Sequence, residues 1–291
     1  MTPTQLIKEV LDYYLKEKSR ILKPSSAMAL KRNIDTIKNS EFSNNMVKLT
    51  TRDMVLEYID SLPTEARKKV SFGILKDVFK YAASHGAIPH NPMDQIMIKF
   101  EPYKQSEKKI LTRKDETRLL ERLESTEIKN IVIFLLYSGL RKGEALALEY
   151  SDIDFKKSIV RVNKALDGVS RTIQTTKTES GVREIPLLPK AREVIEKEVG
   201  IVFKMGRIYH YINGDSLSNN FKHYAKQVGL DISIHNLRHT FASRCFDAGI
   251  DPKVVQKWLG HKSYATTINV YTHLFGFGNE TEKLSNYIDK L

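Results

Sequence analysis

Apolar residues in the first hundred positions recur at helical spacing. Leu6, Val10, Tyr13, Tyr14 and Leu15 form one stripe within 4–18. A second helix is expected from about Ser26 to Asn39, with Met28, Leu30, Ile34 and Ile37 on its apolar side. A third begins after Thr51, where Met54, Val55, Tyr58 and Ile59 share a face. Pro63 separates it from a longer helix over 65–84, with Val70, Ile74, Val78, Phe79 and Ala82 inward. Gly86 and Pro89 stop that helix. No run of strand alternation with turn chemistry precedes residue 100.

Residues 99–111, KFEPYKQSEKKIL, hold Pro102 and several lysines but little apolar periodicity, and read as a linker. Thr112 then opens a helix as its N-cap, with acidic residues in the first turn and Leu119, Leu120 and Leu123 inward. NIVIFLLYSGL, 130–140, is apolar nearly all round, the pattern of a central buried helix. The period changes between 158 and 187. SIVRVNK alternates as a strand, SRTIQTTK is the next, and GVREIPL the third, with TESG as a turn joining the last two. From Pro189 onward the chain is helical again. The expectation is a mainly α protein with a small antiparallel β-sheet: a helical domain over 1–98, a linker over 99–111, and a mixed α+β domain over 112–291.

The length of 291 residues agrees with two domains. Mean hydropathy of −0.37 and the absence of a long apolar run argue against a membrane span. The start, MTPTQLIKEVLDYY, does not read as a secretory signal. Cys245 is the only cysteine, which forbids an intrachain disulfide and fits a reducing cytoplasm; inside FASRCF it reads as a small buried residue. The formal net charge is +12, and both halves of the chain are basic. A polyanion such as nucleic acid could touch both. A lysine-rich solvated surface gives the same balance, so charge changes the picture only with chemistry beside it.

That chemistry concentrates in HNLRHTFASRCFDAGIDPKVVQKWLGHKSYATTINVY, 235–271. His235 and His239 lie four apart, a spacing that can bind zinc on a helix, but Asn236 stands where a metalloprotease has its glutamate, and cysteine ligands are absent. In the other reading His239 packs inward with Phe241 and Ala242, while His235 and Arg238 share the opposite face as a base and a phosphate clamp. Gly260 is a helix stop that leaves His261 exposed just beyond it. Tyr271 is the candidate nucleophile, with Tyr264 its rival. A phenol of pKa about 10 attacks phosphorus usefully only when fixed cations neutralise the phosphate.

Other cations are candidates for the same phosphate. Arg141 sits just before a helix start, a poor complement to the positive end of the dipole unless both face an anion. Glu144 either orients Arg141 or caps the helix. Lys177, at the mouth of the expected hairpin, is either a proton donor to a departing oxygen or a solvated turn lysine. Arg67, Lys68 and Lys69 open the 65–84 helix as a phosphate-holding cluster or as a solvated face. Leu284, Tyr287, Ile288 and Leu291 give the C-terminal tail an amphipathic stripe.

Taken in order, SGLRKGE, TKTESGVREIPL, HNLRHTFAS and LGHKSYATTINVYTHL resemble the boxes of the tyrosine recombinase (phage integrase) family, over roughly 112–275. The N-terminal helices resemble that family's core-binding domain in size and helicity. The resemblance implies a site-specific DNA recombinase, serving integration or excision of a mobile element. Xer-like chromosome-dimer resolution, type IB topoisomerase-like nicking and closing, and a non-catalytic DNA-binding protein are the alternatives. By the same resemblance Arg141 and Arg238 clamp the scissile phosphate and His235 assists proton transfer and phosphate binding. His261 contacts a non-bridging oxygen, Lys177 protonates the leaving 5′-oxygen, and Tyr271 attacks. No metal or cofactor is implied, and no GxxxxGK[ST] loop is present. The implied partners are duplex DNA with specific sites, accessory DNA-bending factors and sister protomers in a homo-tetramer joined through the tail. Many phage and transposon integrases also carry a small arm-binding domain; this chain starts almost directly at the core-binding helices.

Overall fold

Threonines start several of the helices. Thr51, Thr64 and Thr112 each accept a hydrogen bond from a backbone N–H three residues on, at 3.4, 3.3 and 3.1 Å. Each satisfies a donor that the first helical turn would otherwise leave open. The structure, a computed structural model, describes residues 5–94, 96–101, 109–175, 182–201, 206–210 and 212–268. It divides into two units, Met1–Gln105 and Ser106–Leu291.

The first unit holds helices α1 (Ile7–Ile21), α2 (Pro24–Lys38), α3 (Arg52–Ser61) and α4 (Glu65–Ser84), with two 3-10 turns between α2 and α3. Its core takes Ile7, Val10, Leu11 and Tyr14 from α1, Ile34 and Ile37 from α2, and Ile74, Leu75, Val78, Phe79 and Ala82 from α4. The spacing is as expected but the phase differs. Leu6 is the extended residue before α1, so Ile7 and Leu11 turn inward and Tyr13 faces out. Met28 and Val70 are also exposed, and Ser71 is buried beside the α4 core.

The second unit is built round α6 (Lys129–Ser138), which buries Ile131, Val132, Phe134, Leu135 and Leu136. The other helices are α5 (Arg113–Arg122), α7 (Lys142–Ala147), α8 (Pro189–Ile201), α9 (Gly214–Gln227), α10 (Ile234–Asp247) and α11 (Pro252–Leu259). The strands are β1 (Ile153–Asp154), β2 (Ile159–Val162), β3 (Lys164–Leu166), β4 (Ile173–Thr175) and β5 (Arg183–Pro186). They form two antiparallel sheets among the described residues, β1-β2-β5 and β3-β4.

The expected hairpin between the second and third runs is therefore corrected. β4 pairs with β3, and β5 pairs with β2 in the register Val160↔Ile185. The alternation placed the strands, but pairing depends on which apolar faces meet across the core. Both ends of the expected 99–111 linker belong to the units they adjoin. Phe100 packs edge-on to Phe72, and the Leu111 N–H donates to Thr240 Oγ1 at 3.1 Å.

Two glycines permit the packing behind the site. Gly139 ends α6 at φ +65°, and a Cβ there would lie 2.4 Å from a Phe241 ring carbon. In Gly143 of α7 a Cβ would lie 2.8 Å from the Leu166 carbonyl, so only glycine lets α7 rest on β3.

Candidate active site

Arg141 is the extended residue between Gly139 and α7. Its backbone N–H donates to Glu144 Oε2 at 2.8 Å, and its Nη1 to Glu144 Oε1 at 2.8 Å. Glu144 thus holds both the main chain and the side chain of Arg141, uniting the orienting and capping roles that the sequence left open. On α10, Ser233 and Asn236 cap the first turn: the Ser233 N–H and hydroxyl both donate to Asn236 Oδ1. This fixes the start of a helix that carries His235, Arg238 and His239. Arg238 is 2% exposed.

The three sequence segments meet at the end of α11. Gly260 terminates that helix at φ 64°, leaving the last carbonyls without intrahelical partners. Trp258 O accepts from Arg183 Nε at 2.6 Å. Leu259 O accepts from Arg238 Nη2, whose Nη1 donates to Gly139 O at 2.8 Å. Gly260 O accepts from Arg141 Nη2 at 3.2 Å. Three guanidiniums thus cap three successive carbonyls at the negative end of the helix dipole. His261 follows directly, half-buried rather than exposed, with Nδ1 2.9 Å from the hydroxyl of buried Thr267.

The electrostatics record a surplus of positive charge. Glu144 is 4% exposed, and burial alone would raise its pKa. The hydrogen bonds and charge of Arg183, with the charge of Arg141, hold it instead at about 2. Burial, then the charges of Arg141 and Arg183, push Arg238 down to about 9, which still leaves it protonated at neutral pH. Burial and the charges of Arg238, Arg141, His239 and His235 push His261 down to about 3, so its imidazole is neutral. Burial also raises the Cys245 thiol to about 12, as suits a small core residue.

The structure thus brings Arg141, Arg238 and His261 together, with the charge of His235 reaching His261. His239 differs from its expected inward packing. It is half-buried and sits edge-on to exposed His235, ring centres 4.7 Å apart, because a polar imidazole is better placed beside solvent than among Phe241 and Ala242. Lys177 and Tyr271 lie outside the described residues, as does the tail stripe. Arg67, Lys68 and Lys69 belong to the first unit. Arg67 and Lys69 are exposed there, while Lys68 lies 3.4 Å from Glu65 and 3.6 Å from Asp60.

Sequence reasoning missed Arg183. Its signal was present: in REIP, Arg183 shares the inward register of Ile185, a cation on the buried side of a strand. Among the described residues no group of three or more His, Cys, Asp or Glu side chains is placed to hold a metal ion, and no helix is long and apolar enough to cross a membrane.

Comparison with known proteins gives this geometry a family. The chain is 27% identical over 277 residues to a XerC-like tyrosine recombinase of Caldanaerobacter subterraneus subsp. tengcongensis, covering 82% of this chain and 71% of that protein. It is 27% identical over 270 residues to the transposase of transposon Tn916 from Enterococcus faecalis, covering 83% of this chain but only 64% of the transposase. The fold resembles the Tn1549 transposon integrase, solved in complex with a circular intermediate DNA, with a TM-score of 0.76 over 97% of this chain and 99% of that one. At 19% identity that likeness speaks for the fold alone. The phage integrase family model matches residues 109–276, more than half of the chain and all of the segment that holds the converging arginines. The chain belongs to the phage integrase family of tyrosine site-specific recombinases.

Proposed function

We propose that the chain cuts and rejoins duplex DNA at specific sites through a 3′-phosphotyrosyl intermediate, in integration or excision of a mobile element. The carrying observation is the convergence of Arg141, Arg238 and His261 at the end of α11. A carbonyl takes one hydrogen from a terminal guanidinium nitrogen that carries two. Both arginines therefore retain donors for the non-bridging oxygens of a phosphodiester. With Nδ1 of His261 engaged by Thr267, its Nε2 is the nitrogen for a third oxygen contact.

The roles then follow the family's boxes. Tyr271 Oη attacks phosphorus while the bond to the 5′-oxygen breaks. Lys177 protonates that leaving oxygen, and His235 receives the tyrosine proton. Rejoining is the same step reversed, with a 5′-hydroxyl attacking the tyrosyl ester. The ester keeps the energy of the original bond, so these steps need no ATP, cofactor or metal.

In this reading residues 1–98 are the core-binding domain, 99–111 the linker and 112–291 the catalytic domain. Arg67 and Lys69 contact DNA phosphates, and Lys68, already paired, contributes less. The tail beyond Tyr271 joins protomers into a tetramer on DNA, DNA-bending factors assist, and the reaction takes place in the cytoplasm. The likeness to a XerC-like recombinase favours one second reading, resolution of chromosome dimers.

The test is a nicked suicide substrate carrying the candidate attachment site, or a pool of genomic fragments, run with wild type and Tyr271→Phe on a denaturing gel. A DNA-linked protein band that requires Tyr271 is expected. Absence of the band from wild type on DNA that it binds would refute the reading. Exchange between two marked duplexes, with mobile-element ends against chromosomal dimer sites, separates the two readings.

A further inference from the structure

The residue that the sequence concealed ties the site together. Arg183 opens β5, where pairing of Val162 with Arg183 in the sheet fixes its backbone. Its side chain is buried between α7 and α11. Nη1 and Nη2 donate to the two oxygens of Glu144 at 3.1 and 2.9 Å, a fork-to-fork pair. Nε donates to Trp258 O at 2.6 Å. One rigid guanidinium therefore grips both the carboxylate that holds Arg141 and the helix end that precedes His261.

Resting on the proposed cleavage of DNA, we infer that Arg183 is a positioning residue, which sets the spacing of Arg141 and His261 around the scissile phosphate without touching it. Two features support this over simple packing. Glu144 meets Arg141 and Arg183 through the same two oxygens, so a shift of Arg183 is passed to the Arg141 main chain and side chain alike. And the carbonyls on either side of Leu259 O, the acceptor from Arg238, are those bound by Arg183 and Arg141. A lysine cannot reproduce this, because a single ammonium has no fixed fork.

The test uses Arg183→Lys in the full chain, with single-turnover cleavage measured on two suicide substrates. One carries the ordinary scissile phosphodiester; the other carries a neutral methylphosphonate in its place. Removing the substrate's negative charge removes the need for well-placed guanidiniums. We expect cleavage of the phosphodiester to fall about 100-fold, the scale on which small misplacement costs rate. The loss on the methylphosphonate should be under about threefold, relative to wild type on the same substrate, and DNA affinity should be nearly unchanged. Equal losses on both substrates, or no loss on either, would overturn the inference. Arg183→Gln keeps an amide donor without the fork and leaves the direct Glu144–Arg141 bonds in place; it should give the same split, and decides the matter if Arg183→Lys does not fold. Wild type separates the two levels of the argument. Failure of wild type to form the Tyr271-linked product refutes the cleavage reading, whereas wild-type cleavage with no substrate-dependent split refutes only the role of Arg183.

Discussion

Glu116 and Glu144 are buried alike, each 4% exposed, and each binds two arginines, yet their surroundings differ. Glu116, on α5, accepts from Arg113 at 3.1 Å and from the Tyr137 hydroxyl, and lies 2.8 Å from Arg244 of α10. Burial would raise its pKa, but the Tyr137 hydrogen bond and the Arg244 and Arg113 interactions lower it. The Arg113 side chain is 70% exposed, so part of this cluster's positive charge lies in water. Around Glu144 the Arg141 side chain is also partly in water, 44% exposed, but the second arginine lies deeper than Arg244 and a third, buried one stands beside it. Arg183 and Arg238 are both buried, and the described partners of Arg238 are two carbonyl oxygens. A buried charge without a counter-charge is costly, whereas an exposed one is solvated at little cost. The number of arginines bound to the carboxylate does not separate the two clusters; the full burial of Arg183 and of neighbouring Arg238 does. The Glu116 cluster fastens helices. The Glu144 cluster holds a positive surplus, which on the proposed reading a phosphate relieves.

The largest expected effect tests that surplus directly. Arg238→Ala should lower suicide-substrate cleavage by about 10²–10³-fold or more, on the scale of about 3–4 kcal/mol for a transition-state donor. DNA affinity, measured by gel shift, should change far less, because many phosphate contacts share it. Equal losses of affinity and cleavage would make Arg238 a DNA anchor and erase the distinction between the clusters.

Acid gives the next effect. The folded pKa of Glu144, about 2, lies below its ordinary value of 4.5. The stability from its ionised pairs is then fully present above pH 4.5 and is lost as pH falls towards 2. The amount at stake is on the order of 3 kcal/mol. Denaturant melts of wild type and Glu144→Gln should differ by a constant above about pH 5 and converge below it. A pH-independent difference would show that Glu144 is not a paired carboxylate. His261 contributes in another window. Its folded pKa of about 3 lies below 6.5, so its protonation opposes folding progressively as pH falls from 6.5 to 3, in both proteins.

Much of the fold and the site could be read in advance because the signals were local. Pro63 and the stop at Gly86 bounded α4 correctly, and the order of the boxes singled out Arg141, Arg238 and His261. What escaped was non-local. The β4–β5 hairpin was a reasonable reading of adjacent runs, but each strand pairs elsewhere. Arg183 draws its meaning from Glu144, 39 residues away, and from a carbonyl 75 residues away. Tyr13 and Val70 were apolar at nearly the right positions, and a shift of one residue in helical phase turned them outward.

The smallest expected effect sharpens the comparison from its weaker side. Arg113 binds Glu116 at 3.1 Å, a distance close to the 2.8 Å by which Arg141 binds Glu144. Judged by distance alone, the two should matter similarly. But Arg113 is mostly in water, where the Coulomb gain is screened and holding a long side chain costs entropy. Glu116 keeps Arg244 and the Tyr137 hydroxyl when Arg113 is removed, so its charge is not orphaned. Arg113→Ala should therefore change stability by no more than about 0.5–1 kcal/mol, with the cleavage rate unchanged. Thermal melts at low and high salt check it, since the small loss should shrink further as salt rises. A loss of several kcal/mol, insensitive to salt, would mean that the Glu116 cluster depends on Arg113 as the Glu144 cluster depends on its buried arginines, and exposure would no longer divide them.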